Sequence, residues 1–158
     1  MKRTLFAILF VLAVCANASA RQAGVARKID EFGEIEWSDL MARLDNFAIE
    51  LQNDPTAQGY IIAYGGRVGR RGEALKRASR AKGYLTNVRG IPAGQVVIID
   101  GGYRTDLTLA LKVRGRGAPP PEPYSTVAPA EVRFIKSVSK RAARRRRPAR
   151  PRAGVKEL

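Results

Sequence analysis

Between residues 37 and 113 the apolar residues switch from a spacing near 3.6 to a spacing of 2 and back, which limits the chain to folds where helices cover a sheet. Trp37, Leu40, Met41, Leu44, Phe47, Ala48 and Leu51 recur at helical spacing on one face. Ser38 stands where a helix cap is wanted, Asp39 suits the positive helix start, and Asn53-Asp54-Pro55 ends the run. Tyr60 to Tyr64 is a short apolar run of β-formers, the pattern of a strand buried on both faces. Gly65 to Gly72 reads as a glycine- and arginine-rich loop. Ala74, Ala78, Ala81, Leu85 and Val88 then form the narrow small-residue stripe of a second helix packed close to a sheet, closed by Gly90-Ile91-Pro92. Val96 to Ile99 reads as another buried strand ending at Asp100-Gly101-Gly102. Leu107, Leu109, Leu111 and Val113 alternate with Thr108, Ala110 and Lys112, as one face of a strand alternates with the other.

Before these elements, residues 21–36 are a lead-in in which Ile29, Phe32 and Ile35 can anchor a first strand or a loop. The succession is β-α-β-α-β-β, with right-handed crossovers expected between parallel strands. Two helices cannot cover both faces of a sheet, so residues 21–116 predict an α/β (α+β) two-layer sandwich. Residues 117–131, with Pro119–Pro121, Pro123 and Pro129, predict an extended linker. Residues 132–158 predict a disordered polybasic tail, with Val132, Phe134, Ile135 and Val138 available for a short edge strand or an apolar patch.

The amino-terminal residues read as an export signal. Met1-Lys2-Arg3 is a positive start, Leu5 to Val14 an apolar run, and Ala18-Ser19-Ala20 a small-residue cleavage site, so residues 1–20 are expected to be removed. A run of that length falls short of the roughly 20 apolar residues a spanning helix needs. The expected location is the periplasm or the outer membrane, with lipidation at Cys15 as a lesser alternative.

The formal net charge is +15. Residues 132–158 hold eleven Lys or Arg against Glu157 alone and supply +10, Lys2 and Arg3 supply +2, and residues 21–131 keep +3. Such a tail, with Arg144, Arg145, Arg146 and Arg147 at its centre, seeks anionic polymers or lipid surfaces. With few aromatics among the arginines, base stacking on nucleic acid is not indicated.

Chemistry is bounded more tightly. The chain has no histidine, and its one cysteine lies in the expected signal, so imidazole- or thiolate-based catalysis and metal sites are not expected, nor is a disulfide framework. Asp30, Glu31, Glu34 and Glu36 cluster before the first helix. A paired-carboxylate hydrolase is conceivable there, but solvated surface is the expectation. The glycine-rich loop suggests an anion cradle in which Arg67, Arg70 and Arg71 add charge, although it lacks the Gly-Lys-Ser/Thr of a nucleotide-phosphate loop. Arg77, Arg80 and Tyr84 share one helical face, suited either to gripping a carboxylate or to plain solvent exposure.

From about Leu44 to Val113 the chain resembles the peptidoglycan-associating domain at the C-terminus of OmpA-like outer-membrane proteins. The resemblance rests on Leu51 to Pro55 before the strand Tyr60–Tyr64, Arg77-Ala78 seven residues before Tyr84-Leu85, Gly90-Ile91, and the strand from Val96 toward Gly102. It implies a non-catalytic domain without cofactor that holds the diaminopimelate side chain between an aspartate after the strand and an arginine on the next helix. Arg77 matches the arginine. Gly66 stands at the aspartate's position, and no carboxylate lies between Asp54 and Glu73.

The sequence therefore leads to an exported, non-catalytic, cell-envelope-associated binding protein. The alternatives are a polyanion- or nucleic-acid-binding protein acting through its tail, and a protein-interaction module whose ligand site has decayed.

Overall fold

The computed structural model describes residues 25–135. The signal-peptide reading, Cys15 and Arg144–Arg147 fall outside them. The strands are β1 (Arg27–Phe32), β2 (Gln58–Gly66), β3 (Val68–Gly69), β4 (Val96–Arg104), β5 (Thr108–Arg114) and β6 (Arg133–Phe134). The helices are α1 (Trp37–Asn53), between β1 and β2, and α2 (Glu73–Asn87), between β3 and β4. Four strands form one mixed sheet in the order β1-β5-β2-β4. β2 runs parallel to β4, and β5 is antiparallel to both β1 and β2. The chain is thus a mixed α/β protein of two helices on a four-stranded mixed sheet. Among the described residues no helix is long and apolar enough to cross a membrane.

Both helices pack on one face. Ile61 and Ala63 of β2 and Leu109 and Leu111 of β5 point to that side and meet Leu40, Leu44, Phe47 and Leu51 of α1 and Ala78, Ala81 and Leu85 of α2. The alanines of α2 carry little side-chain bulk, so its axis lies close to the sheet. Each fully buried Leu, Ile or Phe contributes about 1.5–3 kcal/mol. Leu44→Ala, at a fully buried position, removes such a side chain and leaves a cavity, costing about 2–5 kcal/mol.

Helix α1 has the expected bounds, but Glu36 rather than Ser38 precedes its first turn, with Leu40 N–H donating to Glu36 O at 3.0 Å. Trp37 is already helical, so Ser38 sits inside the turn and makes no cap. Val88 is exposed beyond the end of α2 and does not join its stripe. Half of residues 65–72, read as a loop, are strand: β2 continues to Gly66, and β3 follows after Arg67. Strand β4 likewise does not stop at Asp100. It passes Gly101 and Gly102 in a bulge, where Ala63 pairs with Asp100 and Gly65 with Tyr103. Gly102 there takes φ +78°, which a side chain disfavours. Moreover, β4 is a sheet edge, so Val96 is buried while Val97, Ile98 and Ile99 are half-exposed.

The face away from the helices carries Ile62, Tyr64 and Ala110, all buried. The proline-rich residues 117–131 are extended, as read, but they are docked on the domain instead of spanning away from it. Thr126 and Val127 N–H both donate to Tyr103 O (2.9 and 3.1 Å), and Tyr124 N–H donates to Tyr64 Oη (3.2 Å). Ala118 and Val127 of this strap are buried. The start of the expected disordered tail is ordered too. Arg133 and Phe134 form β6, parallel to β3, in a two-stranded ribbon.

Candidate functional site

Parallel strands β2 and β4 end beside the start of α2, where sheets of this kind commonly open a crevice. The cleft here, about 550 Å³, is lined by Gly65 to Arg70, the first turn of α2, Asp100, Asp106, Glu34 and Phe134. It is not the anion cradle that its glycines suggest. Arg67 N–H is committed to Thr105 O (3.1 Å) and Arg70 N–H to Glu73 Oε2 (3.2 Å). The carbonyls of Arg67 and Gly69 accept from Arg133 and Ile135 of the ribbon. The Glu73 carboxylate thus occupies the helix start an anion would need, and Glu34, Asp100 and Asp106 add further negative charge. Nor do the three loop arginines converge. Arg67 pairs with Glu131 (3.5 Å), while the Arg71 guanidinium lies 4.5 Å from the Phe134 ring centre.

A second cleft, about 510 Å³, lies between the β1–α1 loop and α2, lined by Glu34, Ile35, Glu36, Trp37, Leu40, Arg77 and Arg80. Here the residues singled out on α2 do come together. Arg77 Nη2 donates to Glu34 Oε1 at 2.6 Å and Nη1 to Ile35 O at 3.5 Å. Its side chain is 26% exposed, whereas that of Glu34 is 72% exposed. Arg80 stacks on Trp37, with the guanidinium carbon 3.6 Å from the ring centre. Tyr84 meets the same indole edge-on at 6.2 Å and donates its hydroxyl to Asp45 Oδ1 at 2.7 Å.

Asp45 also accepts from Arg89 Nε at 2.5 Å. That bond first, and the Tyr84 hydroxyl second, hold the Asp45 carboxyl below its ordinary range. The Tyr84 hydroxyl is raised in turn, chiefly because it donates to Asp45. Arg80 and Tyr84 therefore brace Trp37 across the two helices, and of the two arginines that line the cleft Arg77 is the one paired with a carboxylate.

The acidic cluster does not assemble a carboxylate pair. Asp30 bonds Arg43 (2.7 Å), Glu31 bonds Arg104 (2.7 Å), and Glu34 bonds Arg77. Each of these three carboxylates is turned to a different arginine. Among the described residues no group of three or more His, Cys, Asp or Glu side chains could hold a metal ion.

The sequence marked Glu34 only as one of four clustered carboxylates expected at solvated surface, not as a partner of Arg77. Glu34 lies 43 positions from Arg77, and no local pattern links them. Trp37 was legible only as part of the α1 apolar face. No family model matches this chain, and neither a curated protein nor a solved structure matches it.

Proposed function

We propose that this is an exported, non-catalytic envelope protein whose folded part binds a ligand bearing both an ammonium and a carboxylate, as the peptide of peptidoglycan does. The observation that carries this reading is the Arg77–Glu34 pair at the mouth of the second cleft. Arg77 offers a fork of donors to the ligand carboxylate, and Glu34 accepts its ammonium. Glu34 comes from the β1–α1 loop and so supplies, from a different element, the negative charge missing at Gly66. The Glu34 side of the pair is 72% exposed and free to swing away, and surface ion pairs are worth about 0–1 kcal/mol. The OmpA-like resemblance and the β-α-β-α-β-β succession are in keeping with this reading.

The test is co-sedimentation of the full chain with diaminopimelate-type sacculi at high salt, where adhesion by the cationic tail is screened. The full chain should pellet, and Arg77→Ala and Glu34→Gln should each stay soluble. If the unaltered chain stays soluble at high salt, the reading fails.

A second reading is supported by the charge of residues 132–158, +10 in a chain of +15. On that reading the tail binds polyanions and the domain carries it. Pelleting that disappears at high salt, and is indifferent to Arg77, favours it.

A further inference from the structure

We infer that the β3–β6 ribbon is a docking face for the surface of an anionic phospholipid bilayer, a contact separate from the Arg77 cleft. In parallel strands, paired residues share a face. Val68 pairs with Arg133 on one side of the ribbon and Gly69 with Phe134 on the other. Phe134 faces the domain, edge-on to Tyr103 at 6.2 Å and under Arg71 at 4.5 Å. That leaves Val68 and Arg133 outward. Ile135 returns to their side, its N–H still bonded to Gly69 O at 3.0 Å.

Val68 is 62% and Ile135 57% exposed, adjacent on one side of the ribbon, whereas the aliphatic residues of the four-stranded sheet are all at least partly buried. Arg133 stands between them on the same side of the ribbon. Among the described residues no carboxylate lies within ion-pair distance of Arg70, Arg71 or Arg133. Of the acids near the ribbon, Glu131 is engaged by Arg67, Glu73 by the Arg70 N–H and Glu34 by Arg77, while Asp100 and Asp106 line the cleft that Val68 and Phe134 border.

Aliphatic side chains flanking the exposed Arg133 match a surface that is apolar beneath and negative at its headgroups. A ribbon two residues long is too small for the ~800 Å² that each partner gives to a stable protein interface, so a protein partner fits less well.

The test uses the full chain and vesicles of phosphatidylglycerol or phosphatidylcholine. At high salt the tail is screened to a Debye length of about 3 Å, and binding to phosphatidylglycerol should fall about tenfold in Val68→Ser/Ile135→Ser, from loss of the two aliphatic contacts. Both positions are exposed, so unchanged Trp37 emission checks that the fold persists. Arg70→Gln/Arg133→Gln should weaken binding at low salt, and phosphatidylcholine should bind poorly throughout. In a second variant, Ile135→Trp, brominated acyl chains should quench the added indole. Unaltered vesicle binding in the double serine variant, or an unquenched indole on pelleted protein, overturns the inference. Neither result bears on sacculus binding, which is read separately.

Discussion

Replacing Gly101 by alanine tests how the second face of the sheet is packed. A Cβ at residue 101 would lie 2.4 Å from Tyr64 Cε1 and 2.5 Å from Cδ1. Ordinary carbon contacts are about 3.5–4.0 Å, so the ring or the strand must move by roughly 1 Å. The ring has little room. Tyr64 is 1% exposed, the Arg104 guanidinium stacks 3.6 Å from its centre, and its hydroxyl holds the Tyr124 N–H. Overpacking of this kind costs about 1–3 kcal/mol. For a domain near 100 residues that corresponds to a fall in Tm of roughly 5–15 °C. The backbone itself is not the obstacle, since Gly101 has no positive φ. Without the ring, alanine should even help, by about 0.5–1 kcal/mol, because glycine loses more freedom on entering a strand. The assay is a double-mutant cycle of Gly101→Ala and Tyr64→Ala, followed by urea unfolding with Trp37 emission. Gly101→Ala should destabilise the native background and be neutral or stabilising beside Tyr64→Ala. An equal effect in both backgrounds would refute the packing argument.

Other outcomes follow from the same contacts. Asp45 is held below its ordinary 3.8, so its contribution to stability is complete above about pH 4 and declines as pH falls through the lower folded value. Asp45→Asn should therefore flatten the acid limb of a stability–pH profile measured by urea unfolding. Tyr84 is raised above its ordinary 10.0, so its contribution holds below that pH and is lost above it, and Tyr84→Phe should flatten the alkaline limb. Arg80→Ala should uncover the Trp37 ring, shift its emission to the red, and cost about 0.5–1 kcal/mol. Tyr64→Phe removes the acceptor of the Tyr124 N–H, which should cost about 0.5–1.5 kcal/mol and speed hydrogen exchange at that amide.

The sequence determined the succession of elements and the inward face of most of them. The stripe from Leu40 to Leu51 and the alternation from Leu107 to Val113 are local periods, readable because side-chain direction follows directly from backbone repeat. The double-sided burial of Tyr60–Tyr64 was legible for the same reason, since an apolar run without alternation leaves no side for water.

Where glycine interrupts a strand, local pattern fails. Gly65, Gly66, Gly101 and Gly102 read as breaks, yet β2 and β4 continue through them because each supplies the other's hydrogen-bond partners. Only the tertiary structure decided the strand order β1-β5-β2-β4, the edge position of β4 and the docking of residues 117–131. It alone also joined Glu34 to Arg77, Arg80 to Trp37, and Asp45 to both Tyr84 and Arg89. These pairs lie about forty residues apart in the chain. An arginine's partner is the carboxylate or ring that folding carries to within a few ångströms of it, and no repeat in the sequence encodes that meeting.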